Sequence, residues 1–157
     1  MRALTEGFTV REATPQDHEG IIALCGEVFS AHEGAAVRHL LTGEGYGPGR
    51  WTVAVDADEA VVSCCTLLTH RLRYGAVEVP AAQIEFVATK ASARRYGLVR
   101  AQFDLHHQWA EEQGALVVII TGIPYIYRRL GYGYAIEYSG QYRVLDVPEA
   151  PEGWTVE

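Results

Sequence analysis

Five arginines lie in two short stretches of an otherwise acidic chain: Arg94, Arg95, Arg100, Arg128 and Arg129. The chain has 157 residues, 13 Lys and Arg against 20 Asp and Glu, and a formal net charge of −7. A local group of guanidinium side chains on an acidic protein favours the binding of one small polyanion. On charge alone, a solvated basic face is the alternative.

The turn at Gly97 separates a predicted strand from a predicted helix and is suited to bind phosphate. A helix that begins at Leu98 presents unpaired backbone N–H groups and a partial positive charge there. A phosphate or pyrophosphate binds at such a helix start. Gly97 lets the backbone approach the ligand closely, and Arg94 and Arg95 add charge. The pattern favours a phosphate-bearing ligand, with a plain turn as the alternative.

The segment Ile84–Arg100 resembles the acetyl-CoA signature of the GNAT superfamily of N-acetyltransferases. That signature reads Gln/Arg-x-x-Gly-x-Gly/Ala after a strand, and Arg94 and Gly97 fall in register with it. Val99 stands where a small residue is usual, and Ala91 stands where proline is common.

A second motif follows in the expected order. Tyr127–Tyr132 is similar to the Tyr-x-x-x-Gly-Phe/Tyr element of the same family, and the resemblance covers about residues 8 to 143. Thr121 and Gly122 stand where an asparagine often follows the fifth strand.

The resemblance implies a GNAT-like acyl-CoA N-acyltransferase fold of the α+β class, a central twisted mixed sheet with about four helices. It implies acetyl-CoA as co-substrate, bound between strands that end near Thr89 and Thr121, with no metal. Backbone N–H groups from Arg95 to Arg100 would hold the pyrophosphate, and an N–H near Val87 would bind the thioester carbonyl. The implied cofactor contacts are Val87, Ala88, Thr89, Arg94, Arg95, Tyr96, Gly97, Leu98, Val99, Arg100, Tyr127 and Arg129.

The resemblance also implies an acceptor side. Glu85 is the candidate base that deprotonates a substrate amine, through water. Gln83 shares a strand face with Glu85 and would orient that water or the substrate. His70 is a further candidate substrate contact on another strand. A salt bridge or a solvated position is the alternative for Glu85, and a plain exposed strand residue is the alternative for His70.

Tyr127 is the candidate general acid. A tyrosine with a pKa of about 10 protonates a thiolate of pKa about 8.5 at a cost of about 2 kcal/mol. The hypothesis therefore requires Arg128 or Arg129 to lower the pKa of Tyr127. The alternative is a packing residue whose hydroxyl only contacts the cofactor.

The hydrophobic pattern predicts alternating strands and helices in a mixed sheet. Thr14, Pro15 and Asp17 predict the start of a helix after the first strand. The segment from Gln83 to Thr121 predicts a strand–helix–strand unit with parallel strands. The predicted strands are 8–12, 51–55, 60–73, 77–89, 115–121 (buried on both faces) and 134–145, and the other predicted helices are 33–41, 98–113 and 124–130.

Composition argues against several other classes. The longest apolar run, Ala115–Ile120, is too short to cross a membrane, and a pI of about 5.3 argues against nucleic-acid or anionic-membrane binding. Three cysteines without framework spacing predict reduced thiols and a cytoplasmic location. The histidines lack metal-ligand spacing, and His106 with His107 is expected to be a solvated pair. A dinucleotide-binding fold would need a Gly-x-Gly-x-x-Gly turn, which the chain lacks after its first strand.

The predicted domain covers residues 1–145, and residues 146–157 form a proline- and acid-rich tail, with a linker to a second domain as one interpretation. We therefore expect an N-acetyltransferase that acts on a small-molecule or peptide amine, cationic by preference. The alternative is a catalytically inactive acyl-CoA-binding half of a tandem protein. The sequence leaves the oligomeric state open, with a homodimer as one possibility.

Overall fold

A computed structural model describes residues 2–3, 7–42, 49–123 and 125–135. Its centre is a six-stranded sheet whose strands follow one another in chain order. Neighbouring strands are antiparallel, except that the last two are parallel. This confirms the predicted mixed sheet. The strands are β1 (Arg2–Ala3), β2 (Thr9–Glu12), β3 (Arg50–Val55), β4 (Val61–Tyr74), β5 (Val77–Thr89) and β6 (Val117–Ile120).

Helices cover both faces of the sheet. Leu24 of the first helix packs with Cys64 in one core, whereas Phe103 of the third helix packs with Cys65 in another. The two adjacent cysteines therefore face opposite sides, as alternation along a strand requires. The helices are α1 (His18–Val28), α2 (Ala31–Thr42) and α3 (Leu98–Glu112), and the fourth predicted helix is a 3-10 turn, Tyr127–Leu130.

The start of the first helix follows the predicted cap. Pro15–Asp17 form a 3-10 turn that continues into α1. The Asp17 carboxylate accepts hydrogen bonds from the Thr14 backbone N–H (2.7 Å) and from both terminal nitrogens of Arg11 (2.6 and 2.9 Å). Burial alone would raise the pKa of Asp17, but these hydrogen bonds outweigh it and lower the pKa to about 2.

The prediction of a solvated histidine pair on α3 is wrong. His106 is fully buried, with Nε2 2.9 Å from the Thr52 hydroxyl. Burial lowers the pKa of His106 to about 3, with smaller contributions from the nearby charges of His107 and Arg50. His107 is half-buried, and its Nε2 lies 2.8 Å from the Tyr132 hydroxyl. Nε2 of each ring has a polar partner from a distant segment, whereas the buried Nδ1 of His106 has none among the described residues.

The last strand is shorter and more exposed than expected. It spans Val117–Ile120, whereas the pattern predicted a strand over 115–121 buried on both faces. Val117 is 39% exposed, and Leu116, just before the strand, is 74% exposed. In the part of the chain that the structure describes, β6 pairs with β5 alone, and the continuous apolar run did not by itself predict burial on both faces.

Two expectations fall largely outside the described residues. Of the predicted strand 134–145, only Tyr134 and Ala135 are described, and they are not in a strand. The predicted tail, 146–157, lies entirely outside them. In the described ranges no helix is long and apolar enough to span a membrane.

Candidate functional site

A β-bulge interrupts the pairing of β4 and β5. Thr66 lies opposite Glu85 and Cys64 lies opposite Ala88, so that Phe86 and Val87 together face the single residue Cys65. Phe86 has a φ of +52°, in the left-handed region. A bulge of this kind disrupts the ladder locally and leaves the extra residue unpaired.

The parallel pairing stops at the same level of the sheet, because β6 ends there. Pairing between β5 and β6 stops at Ile84 and Ile120, although β5 continues to Thr89. Beyond this point nothing among the described residues pairs with the free side of β5. β5 therefore runs past the end of β6, and we call the side of β5 from Glu85 to Thr89 that has no described strand partner, next to the bulge, the gap. The sequence predicted the cofactor between strands that end near Thr89 and Thr121.

Glu85 lies at the start of this gap. It is opposite Thr66, and Thr66 follows Cys65, whose side chain packs on the α3 side. Because side chains alternate along a strand, Thr66 and Glu85 both face the α1–α2 side. Its Oε1 accepts hydrogen bonds from the Gln83 side-chain amide and, at 2.9 Å, from the Thr121 hydroxyl. Among the described residues no cation pairs with Glu85, so the salt-bridge interpretation has no partner. Gln83 shares its strand face, as predicted.

Tyr127 lies on the other side of the sheet. Its ring stacks on Phe103 of α3, with centroids 5.8 Å apart and planes 11° from parallel. Tyr132 packs edge-on against it, with centroids 6.3 Å apart. The structure thus brings Glu85 and Tyr127 to the same gap, from opposite faces.

The predicted effect of the arginines on Tyr127 is wrong. Its pKa is raised above the ordinary value, chiefly by burial and then by the nearby Cys65 and Glu85. Arg128 and Arg129 are exposed, and neither is among these causes. The Tyr127 hydroxyl therefore stays protonated at neutral pH and is suited to donate a hydrogen bond rather than to lose its proton.

The turn before α3 collects unpaired N–H groups. Arg95 and Gly97 both have left-handed φ values, +73° and +75°, and Gly97 caps the helix. Within the described residues, no backbone acceptor pairs with the N–H groups from Arg95 to Arg100. Consecutive N–H groups in such a turn form an anion-binding concavity.

Most side chains of this turn are exposed. Arg94, Arg95, Tyr96 and Arg100 are exposed, whereas Leu98 is buried and anchors the helix. Arg100 donates a hydrogen bond of 3.3 Å to the Arg129 carbonyl and so joins α3 to the 3-10 turn that carries Tyr127.

The remaining predicted cofactor contacts divide between the two faces. Val87 packs in the core on the α3 side, and Ala88 packs in the core on the α1–α2 side. The Thr89 hydroxyl lies 2.8 Å from that of Ser63. Val99 is half-buried against the α3 core, where its larger side chain is accommodated.

His70 is not brought to the other site residues. It lies four positions along β4 from Thr66, the partner of Glu85, which is about 13 Å at the usual rise of a strand. Its Nε2 is buried and has no hydrogen-bond partner in the described residues.

Two residues beside Glu85 and the bulge were not predicted from the sequence, Thr121 and Phe29. Thr121 binds Glu85, and the parallel register signals this, because Ile84 pairs with Ile120 and the next residues on each strand are Glu85 and Thr121. Phe29 is 46% exposed and packs edge-on against Phe86, with centroids 6.4 Å apart. This pair forms an aromatic wall beside the bulge, and no periodicity predicts it.

Cysteine chemistry and metal binding find no support in the described residues. All three cysteines are free and buried. Burial raises the pKa of Cys65 to about 12, and the Cys25 thiol and burial raise that of Cys64. A neutral buried thiol is a poor nucleophile. No group of three or more His, Cys, Asp or Glu in these ranges is arranged to hold a metal.

Comparison with known families gives a match over most of the chain. The sequence model of a family described as an acetyltransferase (GNAT) domain matches residues 9–135. A search of curated protein sequences found no match.

Solved structures give the same fold. The GNAT family N-acetyltransferase YhbS from Escherichia coli, in complex with CoA, superposes with a TM-score of 0.70 at 25% identity and covers 85% of this chain and 71% of that one. Glucosamine-6-phosphate N-acetyltransferase from Arabidopsis thaliana gives 0.67 at 16%, with coverage of 87% and 99%. AAC(6')-Iy in complex with the bisubstrate analogue CoA-S-monomethyl-acetylneamine gives 0.65 at 14%, with coverage of 86% and 99%.

Proposed function

Because this chain belongs to the GNAT acetyltransferase family, we propose that it transfers an acetyl group from acetyl-CoA to a primary amine within a ternary complex. The observation that carries the proposal is the gap between β5 and β6, with Glu85 on one face and Tyr127 on the other. Two substrates can meet in such a gap from opposite faces of the sheet, with the carboxylate of Glu85 as proton acceptor on one face and the hydroxyl of Tyr127 as hydrogen-bond donor on the other.

The turn before α3 would bind the diphosphate of acetyl-CoA. The free N–H groups from Arg95 to Arg100 supply donors, and Arg94, Arg95 and Arg100 supply charge. Arg129 and Tyr96 border the same surface. The acyl arm would then enter the gap along Val87–Thr89, where a backbone N–H near Val87 would stabilise the negative charge that develops on the carbonyl oxygen.

Glu85 would accept the proton of the incoming ammonium, through water. Acetyl-CoA supplies an acetyl thioester, and in the transfer a nitrogen–carbon bond forms while the carbon–sulfur bond breaks. The nitrogen loses one proton before the attack and a second one after it, and the sulfur takes up one of the two. Tyr127 would donate a hydrogen bond to the leaving sulfur, a role that a raised pKa favours over full proton transfer.

The acceptor is a cationic small-molecule or peptide amine in this proposal. The net charge of −7 favours cationic substrates over anionic ones. Glu85, which no described cation neutralises, attracts an ammonium group, and the exposed ring of Phe29 offers an apolar or cation–π contact beside it. Two of the structures similar to this chain are named for an amino sugar and an aminoglycoside analogue.

Two measurements on the whole protein test the proposal. Calorimetry with acetyl-CoA should show saturable binding, and free thiol should appear when a panel of polyamines, aminoglycosides and peptide amines is added. Glu85→Gln should lower kcat by about a hundredfold or more while acetyl-CoA still binds. Glu78→Gln on the same strand, whose carboxylate lies 3.6 Å from the Arg71 guanidinium at the surface, is the control and should keep full activity.

Each negative result has its own meaning. Without binding of acetyl-CoA the proposal fails. Binding without thiol release for any amine would favour the alternative function, an inactive acyl-CoA-binding half of a tandem protein.

A further inference from the structure

We propose that Thr121 is a positioning residue for Glu85: its hydroxyl and the Gln83 amide together hold one carboxylate oxygen, Oε1, so that Oε2 is the atom that takes the substrate proton. The inference rests on the proposed function and adds to it the residue at the end of β6 that orients the base. The geometry that carries it is the pair of hydrogen bonds that converge on Oε1.

The two donors fix the carboxylate from two strands. Gln83 precedes Glu85 by two positions on β5, whereas Thr121 follows the last residue of β6. A carboxylate held by donors on one oxygen alone loses the freedom to rotate and directs its second oxygen to one place. In the described residues Oε2 has no hydrogen-bond or ion-pair partner, so it remains available to water or to an amine.

The two donors, the Gln83 amide and the Thr121 hydroxyl, are uncharged, and this lets Glu85 act as a base. Both are neutral, and no Lys, Arg or His in the described ranges forms an ion pair with Glu85. An arginine in their place would neutralise the charge that attracts an ammonium group. A hydroxyl and an amide orient the carboxylate and leave its full negative charge in place.

A purely structural role for this hydrogen bond has little support. Thr121 is exposed at the end of its strand, where water satisfies a hydroxyl as well as a carboxylate does. Hydrogen bonds of this exposed kind contribute little to the free energy of unfolding. We therefore expect the loss of the hydroxyl to affect turnover much more than stability.

Three variants test this with the amine that the wild type acetylates best. Thr121→Val keeps the shape and removes the hydroxyl, and it should lower kcat by about ten- to a hundredfold with the KM for acetyl-CoA unchanged. Thr121→Ser keeps the hydroxyl and should recover most of the rate. Thr69→Val is the matched control, because it removes another exposed threonine hydroxyl, bonded to Gln113 at 2.8 Å, away from the gap. It should leave kcat unchanged.

A second measurement does not depend on activity. In protein with 13C-labelled glutamate side chains, Glu85→Gln identifies the Glu85 carboxyl resonance. That resonance should move in Thr121→Val and return to its wild-type position in Thr121→Ser. A resonance unchanged in Thr121→Val, or a kcat equal to that of the wild type, would overturn the positioning role. Absence of turnover in the wild type would overturn the proposed function instead, and the resonance would still decide whether Thr121 holds Glu85.

Discussion

The ring of Tyr127 lies directly against the backbone of Gly122, so that a Cβ on Gly122 would collide with Cε2 of the tyrosine. Gly122 follows the end of β6, next to the threonine that binds Glu85. The absence of a side chain at this position therefore lets Tyr127 approach the gap. The collision involves an aromatic ring that is itself stacked on Phe103, so the ring has little room to yield.

Gly122→Ala should displace Tyr127 and lower kcat by about tenfold or more, with smaller changes in the binding of acetyl-CoA. Gly133→Ala is the control, since nothing lies within 4 Å of a Cβ built there. Steady-state kinetics of both variants, together with near-ultraviolet circular dichroism of the tyrosines, measure the effect. Equal kinetics for the two alanine variants would contradict this account of Gly122.

Tyr127→Phe should keep the stack on Phe103 and remove only the hydroxyl. We expect kcat to fall by about ten- to a hundredfold, because the leaving sulfur loses its hydrogen-bond donor. Calorimetry should give an unchanged affinity for acetyl-CoA. Full turnover in this variant would show that Tyr127 is a packing residue.

Gly97→Ala should weaken both the fold and the binding of acetyl-CoA. Space is available for the Cβ, but a φ of +75° is unfavourable for alanine, at a cost of about 1 kcal/mol. Any relief of this strain would turn the N–H groups of the turn away from the diphosphate. Gly26→Ala, in the interior of α1 with an open site, should instead raise the free energy of unfolding. Urea unfolding and calorimetry on both variants separate the two effects.

The buried neutral His106 makes stability depend on pH. Its pKa is about 3 in the folded protein, against 6.5 in the unfolded chain. Above pH 6.5 both states are neutral and the stability is complete. As the pH falls below 6.5 the unfolded state takes up the proton first, so the free energy of unfolding should decline by about 1.4 kcal/mol per pH unit.

Urea unfolding at pH 7.5 and pH 5 measures this decline. Asp17 does not contribute in this range, because its lowered pKa costs stability only below pH 3.8. His106→Gln should reduce the dependence on pH, whereas His32→Gln, at an exposed position on α2, should leave it intact. An identical decline in all three proteins would exclude His106 as its source.

Features that depend on local sequence were predictable. The cap formed by Thr14, Pro15 and Asp17 needs only four consecutive residues, and the positive φ of Gly97 follows from its place between a strand and a helix. The parallel pairing of β5 with β6 follows from the strand–helix–strand order. The cap follows from residues close together in the sequence, and the parallel pairing follows from the handedness of strand–helix–strand connections, so one sequence is enough to predict both.

Features that depend on register between distant segments were not predictable. The bulge at Phe86 exists only relative to Cys65 on the neighbouring strand. The buried His106 has the Thr52 hydroxyl as its partner, and nothing in the sequence of α3 indicates that Thr52 lies next to it. The raised pKa of Tyr127 comes from packing between α3 and the sheet, whereas adjacency in the sequence suggested the opposite influence from Arg128.

Phe86 is the single extra residue of the bulge, so the bulge could be removed without changing the rest of the sheet. If Phe86 were deleted, Glu85 could still lie opposite Thr66 and Ala88 opposite Cys64, with Val87 alone against Cys65. Every other side chain would keep its face, and the ladder would close without a break. An unbroken β4–β5 ladder and the bulged one therefore differ by a single residue, at the place where we propose that the two substrates meet.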